Sequence, residues 1–291
     1  MEQYMGDDGR AQKFGGKWTE QKLDMFTGYL NAYLTALQNQ KFKKIYIDAF
    51  AGTGKIETRD GSQTLIGSAR RALAADLKFD LYFFVEKESE KADKLRAMVA
   101  QEFPALQNRV TVYPGDANEK LDVIIRKFDW RYYRGLLFLD PFATSVNWET
   151  LEKIARTESI DVWYLFPLHA LERMLPRNGQ IRPSWEKNID RILGSDEWKT
   201  EFYKKDPQMS IFDFMDGGNN ERLIKDADPQ KIKDHVVYRL ETIFPCVSKN
   251  PRIFRNSNNS PMFLFCFAIA NTSPKAQQLA LKIANHILKK P

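Results

Sequence analysis

The sequence predicts an α/β protein with a mostly parallel sheet and helices on both faces. Three observations predict it. From Lys44 to Phe166 short β-rich runs alternate with helical segments. The runs are almost continuously apolar, as strands buried on both faces are. The first run ends in a turn with glycines one residue apart, where sheets of this kind bind ligands. Alternation of this sort argues for a doubly wound sheet.

Residues 1–16 are polar and contain glycine, and read as a loose N-terminal arm. The core is expected to span 17–167. It opens with "WTEQKLDMFTGYLNAYLTALQN", whose apolar positions Leu23, Met25, Phe26, Tyr29, Leu30, Tyr33, Leu34 and Leu37 recur at helical spacing, with Thr19 as N-cap. The strand candidates are "IYIDAF" (45–50), "LYFFVE" (81–86), "VTVYP" (110–114), "GLLFLD" (135–140) and "IDVWYLF" (160–166), with helical patterns near 64–76, 88–102, 118–128 and 147–157. Residues 168–250 carry Pro176, Pro183, Pro207 and Pro229 among charged helical stretches and read as a mainly helical insertion or lid. Residues 251–291 complete the core: "PMFLFCFAIAN" is a strand, and Ser273 caps a final amphipathic helix with Pro274 at its first position.

The 291 residues suffice for one large domain or a core with a sizeable insertion. A formal charge of +6 allows a nucleic-acid partner without requiring one, since Lys and Arg are spread rather than blocked. Two cysteines, Cys246 and Cys266, are too few for a disulfide framework or a zinc site and fit a reducing cytoplasm. His169, His235 and His286 lack metal-ligand spacing. The polar, acidic start does not read as a signal peptide, and no run of about 18 apolar residues is present to span a membrane.

The stretch "IYIDAFAGTGKIE" (45–57) holds the chemistry. Glycines let a backbone pass close to a ligand, and a helix N-terminus just beyond the turn is expected to favour anionic groups. A P-loop needs G-x-x-x-x-G-K-[ST], but Ala49 holds the first glycine position and Ile56 replaces the hydroxyl residue after Lys55. A dinucleotide turn needs a third glycine where Glu57 stands and an acid nearer than Glu86.

The segment "DAFAGTG" resembles the D-x-F-x-G-x-G motif of class I methyltransferases. In that family the turn wraps the methionine part of S-adenosylmethionine, which maps cofactor contacts onto Asp48, Phe50, Ala51, Gly52, Thr53 and Gly54. The second strand ends in an acid for the ribose hydroxyls, matched by Glu86 with Lys87 beside it. The third ends near an acid beside the adenine, matched by Asp116 in "YPGDAN" with Ala117 beside it. The fourth carries the reaction-site motif, matched by Asp140, Pro141 and Phe142 in "LFLDPFA". A carboxylate accepts two hydrogen bonds from a vicinal diol, and charge-assisted bonds are about twice as strong as neutral ones. The fourth-strand match departs from the (D/N)-P-P-(Y/F) motif of amino-methyltransferases: Phe142 stands where the second proline would be. Asp140 retains an acceptor for an amine, and Phe142 a ring to stack on a base.

The whole layout, from about residue 17 to 288, resembles the three-Cys-motif partner (TcmP) family. The matching parts are "KLDMFTGYLNAY", "YIDAFAGTG", "FFVEKE", "GDAN", "FLDPFATSVNW" and "IARTESIDVWYLFP". The resemblance implies a Rossmann-like class I methyltransferase fold. It also implies a partner protein bearing a three-cysteine motif of iron-sulfur or radical-S-adenosylmethionine type.

Two basic clusters remain. "RKFDWRYYRG" interleaves cations with aromatics as single-strand-binding surfaces do, but it precedes the fourth strand and so belongs to the end of the sheet away from the cofactor. Arg173, Arg177, Arg182 and Lys187 follow the fifth strand on the cofactor side; Arg173 and Arg177, with Lys55, are candidates for an anionic substrate, and His169 for a general base. The expected function is methyl transfer from S-adenosylmethionine to a nucleic acid or nucleotide-like acceptor. The alternatives are a non-catalytic partner subunit and, using Lys55, a nucleotide hydrolase.

Overall fold

The computed structural model describes residues 17–57, 64–206 and 223–289; the expected arm 1–16 lies outside them. Helix α1 (Lys17–Ala36) carries the apolar stripe read from the sequence, with Phe26, Tyr29, Leu30 and Tyr33 all buried. Thr19 is not its N-cap. The helix already runs from Lys17, and among the described residues the buried Thr19 hydroxyl has no partner.

Five parallel strands follow: β1 (Lys43–Asp48), β4 (Leu81–Glu86), β5 (Val110–Pro114), β6 (Tyr133–Leu139) and β7 (Ile160–Phe166). Between β1 and β4 lie a small antiparallel pair, β2 (Lys55–Glu57) and β3 (Thr64–Ile66), and helix α2 (Ser68–Ala74). Helices α3 (Ser89–Glu102), α4 (Ala117–Lys127) and α5 (Trp148–Ala155) make the next crossovers. After β7 come α6 (Leu168–Arg173), α7 (Pro183–Leu193), α8 (Trp198–Phe202), the pair β8 (Tyr203–Lys205) and β9 (Leu223–Lys225), and α9 (Pro229–Glu241). The chain ends with β10 (Cys246–Val247), β11 (Arg252–Arg255), β12 (Pro261–Ile269) and α10 (Pro274–Leu288), the last with Ser273 at its N-cap position and Pro274 first.

The main sheet has the order β5-β4-β1-β6-β7-β12-β10, with β11 also on β12. Strand β12 runs antiparallel to β7, and both β10 and β11 antiparallel to β12. The antiparallel pairing of β11 with β12 has a local cause. The Asn256 carboxamide accepts from the backbone N–H groups of Asn258 and Ser260, both at 2.9 Å, closing a tight turn between β11 and β12. Strands joined so closely must pair antiparallel. A mostly parallel mixed sheet with one reversed strand next to its edge is the Rossmann-like methyltransferase fold that the motifs implied.

Side chains alternate between two cores with the period of two that strands impose. Ile45, Ile47, Leu137, Leu139, Val162, Tyr164, Leu264 and Cys266 face α4 to α9. Tyr46, Leu136, Phe138, Trp163, Leu165, Phe265 and Phe267 face α1, α2, α3 and α10. Leu168, Leu171, Ile189, Ile192, Trp198, Phe202, Ile232 and Val236 of the long segment after β7 belong to the first of these cores, so the described helices there are packed on the sheet. Among the described residues no helix is long and apolar enough to cross a membrane.

Candidate functional site

Four acidic side chains stand at or just beyond the carboxyl ends of four neighbouring strands: Asp140 after β6, Asp48 on β1, Glu86 on β4 and Asp116 after β5. Neighbouring strands are about 4.8 Å apart, so the row spans roughly 14 Å.

Asp48 is fully buried. Its carboxylate accepts from the Ser68 hydroxyl at 2.5 Å, the Phe50 N–H at 3.2 Å and the Tyr46 hydroxyl at 3.4 Å. Burial pushes its carboxyl up to about 7; the Ser68 and Phe50 donors oppose that, and the nearby Asp140 charge adds to it. The turn then runs through Gly52 and Gly54, both in the left-handed region at φ +59° and +77°. A Cβ on Gly52 would find open space, whereas one on Gly54 would meet Met98 Cε at 2.9 Å. Glu86 fastens the turn to the second strand: one carboxylate oxygen accepts from Gly52 N–H at 2.9 Å, the other from Glu88 N–H at 3.0 Å. Ala51 is buried and donates to Val85 O at 3.0 Å. The Thr53 hydroxyl donates to Lys55 O at 3.2 Å. Lys87 is exposed on the loop after Glu86.

The expected helix N-terminus just beyond the turn is absent. Lys55 opens β2, which pairs with β3, and α2 begins only at Ser68. The chain returns to its starting point, since Gly67 N–H donates to Gly54 O at 3.0 Å. Ser68 thereby reaches Asp48 from the first turn of α2. Lys55 is exposed and precedes no helix, so the P-loop geometry that a nucleotide hydrolase needs is missing.

Asp116 is the N-cap of α4, accepting from Asn118 N–H at 2.8 Å and Glu119 N–H at 3.4 Å, and Ala117 is the first, buried residue of that helix. Asn118 ties the third strand's loop to the fourth's: its amide donates to Ser145 O and its oxygen accepts from Asn147 N–H and the Thr150 hydroxyl, each at 2.9 Å. From the other side α7 holds the same loop. Arg191 donates to Thr144 O at 2.6 Å and to the Asn147 side chain, and Asn188 bonds the Thr144 hydroxyl at 3.0 Å. Pro141 is buried under this loop, while Phe142 is 67% exposed at its tip.

Sequence reasoning missed Lys22. This residue of α1 lies with its ammonium against the Asp140 carboxylate in an ion pair. The Lys22 side chain is only 3% exposed, that of Asp140 26%. A signal was present: Lys22 stands four residues before Phe26, on the buried stripe of a helix that otherwise presents apolar and aromatic groups there.

Arg173 ends α6 and is exposed, as is Arg177 beyond it; among the described residues neither has an ion pair with the acidic row. His169 is half-buried in the first turn of α6. Arg182 lies over the Trp185 ring at 4.9 Å. In the "RKFDWRYYRG" connector Trp130 is buried, Phe128 and Tyr133 pack on the core, and Arg126 and Arg131 are paired with Asp122 and Asp129. Two open cavities flank α7. One of about 430 Å³ is lined by Met174, Trp185, Lys187 and Asn188, the other of about 530 Å³ by Trp148, Glu152, Asp190 and Ser195. Neither is lined by residues of the glycine turn.

No protein-family profile matches the chain, and no curated protein matches it in sequence. Among solved structures, protein LPL1258 from Legionella pneumophila str. Philadelphia 1, of family DUF519, is similar at 14% identity over 94% of each chain, with a TM-score of 0.47. The methyltransferase domain of bacterial CtHen1 is similar at 10% identity over 84% of this chain and 98% of that one, with a TM-score of 0.38. The bifunctional kinase-methyltransferase WbdD is similar at 14% identity over 74% of this chain and 42% of that one, with a TM-score of 0.34. At scores below 0.5 none of the three bears on activity or substrate.

Proposed function

We propose that the chain is an S-adenosylmethionine-dependent methyltransferase acting on a nucleic acid or nucleotide-like acceptor, in company with a protein bearing a three-cysteine motif. The supporting observation is the row of acids from Asp140 to Asp116 beside an open glycine turn. Its charge suits the cofactor, which carries a sulfonium and an amine against one carboxylate, and repels a polyphosphate. Glu86 spends one bond per oxygen on the backbone, and a carboxylate has about four lone-pair sites, so both oxygens keep room for a ribose diol. Asp116 keeps its second oxygen beside the adenine position, and Gly52 gives space for the methionine part.

When bound, the cofactor supplies a methyl group activated by its positive sulfur. The chain's own residues do the rest. Glu86 and the turn fix the donor's position, Asp140 orients the acceptor, and the exposed Phe142 ring stacks on a base. Methyl transfer is an in-line displacement, so this positioning carries most of the catalysis. Arg173 and Arg177, exposed beyond the same edge of the sheet, serve an anionic acceptor such as a phosphate backbone. The free cysteines fit a reducing cytoplasm.

Asp140→Ala tests the reading: methyl transfer falls by orders of magnitude while cofactor binding persists, and unchanged turnover removes Asp140 from the site. One observation favours the partner-subunit alternative, namely that Asp140 is already engaged by Lys22. Co-purification with an iron-sulfur protein, together with no methyl transfer to any acceptor, selects it.

A further inference from the structure

We propose that Lys22 is a positioning residue of the acceptor site, working through Asp140 and restricting the site to nitrogen acceptors; this rests on the methyltransferase reading above. A buried ion pair contributes little to stability, because taking both charges out of water costs about what their attraction returns, and apolar groups of the same volume often serve as well. A pair retained at the end of β6, at the fourth-strand motif itself, calls for another reason.

The geometry supplies one. The Lys22 ammonium is held by the Asp140 carboxylate and by two aromatic faces, Trp18 at 5.3 Å and Phe138 at 6.0 Å. Phe138 is itself stacked on Phe26 at 4.2 Å, so the cation sits in a packed bed. Within the pair the carboxylate is the exposed partner and the ammonium the hidden one. Lys22 therefore stands behind Asp140 rather than in front of the acceptor. It takes one carboxylate oxygen, fixes the rotamer and leaves the other oxygen to receive one N–H. The buried Asp48 of β1 also lies near Asp140.

This arrangement selects among acceptors. A hydroxyl must lose its proton to a base as it attacks, whereas the Asp140 carboxylate, already paired with the Lys22 ammonium, is placed to serve as a hydrogen-bond acceptor rather than as a base. An amine needs no such base. Its nitrogen lone pair forms the bond to the methyl carbon, the carbon–sulfur bond breaks with its electron pair passing to sulfur, and the extra proton then leaves the nitrogen for solvent. Asp140 has only to hold one N–H in line. The acceptor class is an exocyclic amine on a base that stacks on Phe142.

The test uses the whole chain, labelled S-adenosylmethionine and mixed-sequence RNA and DNA oligonucleotides, digested to nucleosides after reaction. Lys22→Met lowers kcat by about 30-fold or more with cofactor affinity within about threefold, and Lys22→Arg recovers most of the loss. The label appears on an exocyclic nitrogen. Because Lys22→Met leaves the partly exposed Asp140 carboxylate without its counter-ion and can fail to fold, Asp140→Asn is compared with Lys22→Met/Asp140→Asn, which removes both charges. If Lys22 acts through Asp140, the double variant is no slower than Asp140→Asn alone. Multiplying losses, a Lys22→Met variant as fast as wild type, or label on a ribose oxygen each overturn the proposal. Wild type that neither binds the cofactor nor transfers a methyl group rejects the methyltransferase reading, and this proposal with it.

Discussion

Two aspartates, Asp48 and Asp161, are buried at opposite ends of the sheet, and burial pushes both carboxyls up to about 7. Asp161 lies near the start of β7, where it accepts from the Tyr29 hydroxyl at 2.7 Å and feels the half-buried Arg134. It anchors the far end of α1 to the sheet. Asp48 lies at the end of β1, holds the Ser68 hydroxyl and the Phe50 N–H, and has the charge of Asp140 nearby. A perturbed acid is thus no mark of a site by itself. What separates the two is the end of the strand on which each sits, and the company of other acids at the carboxyl end.

The largest expected effect breaks the comparison most sharply. Asp140→Ala, beside Asp48, lowers methyl transfer by about 10²- to 10³-fold with cofactor affinity kept, whereas Asp161→Asn leaves turnover near wild type. Equal losses in a radiolabel assay contradict the assignment of function to one end.

Next is the pH dependence of stability. The folded Asp161 carboxyl titrates near 7 and an unfolded one near 3.9, so the folded protein keeps this proton to higher pH. The associated stability is complete below about 4 and is lost as pH rises through 7, a swing of order 4 kcal/mol at most. Urea midpoints of wild type should therefore fall relative to those of Asp161→Asn between pH 5 and 8. Parallel profiles refute the raised titration.

Gly54→Ala has a smaller effect. With φ at +77° and Met98 Cε 2.9 Å from the new Cβ, it destabilises by about 1–2 kcal/mol and weakens cofactor binding through the turn. The smallest belongs to the amino-end connector. Arg131→Ala removes an exposed, solvent-screened pair with Asp129 and leaves the urea midpoint near that of wild type, with oligonucleotide binding unchanged in a titration.

The same contrast between ends explains how much was legible in the sequence. The five parallel strands were readable because "IYIDAF", "LYFFVE" and "IDVWYLF" are apolar on both faces, and the glycine turn because its two glycines need positive φ. The β2–β3 pair was not. Residues 55–57 and 64–66 are too short to show a period, and 64–66 merged with the helical pattern of α2. The links from Asn118 to Asn147 and from Arg191 to Thr144 were hidden because a loop's hydrogen-bond partner leaves no periodic trace. Lys22 was hidden for a stronger reason. It meets Asp140 across 118 positions of chain, and only the fold shows that α1 points its first turns at the carboxyl end of β6. The placement of Asp48, Glu86, Asp116 and Asp140 in one row followed from strand order alone, since each ends or follows a parallel strand.

The most direct test of the account is a calorimetric titration of S-adenosylmethionine and S-adenosylhomocysteine into the wild-type chain and into Glu86→Ala, which removes the carboxylate holding Gly52. Wild type is expected to bind both ligands, and the variant to lose about 10- to 100-fold in affinity, the worth of charge-assisted hydrogen bonds. Wild type that binds neither ligand, alone or with an iron-sulfur partner present, contradicts it.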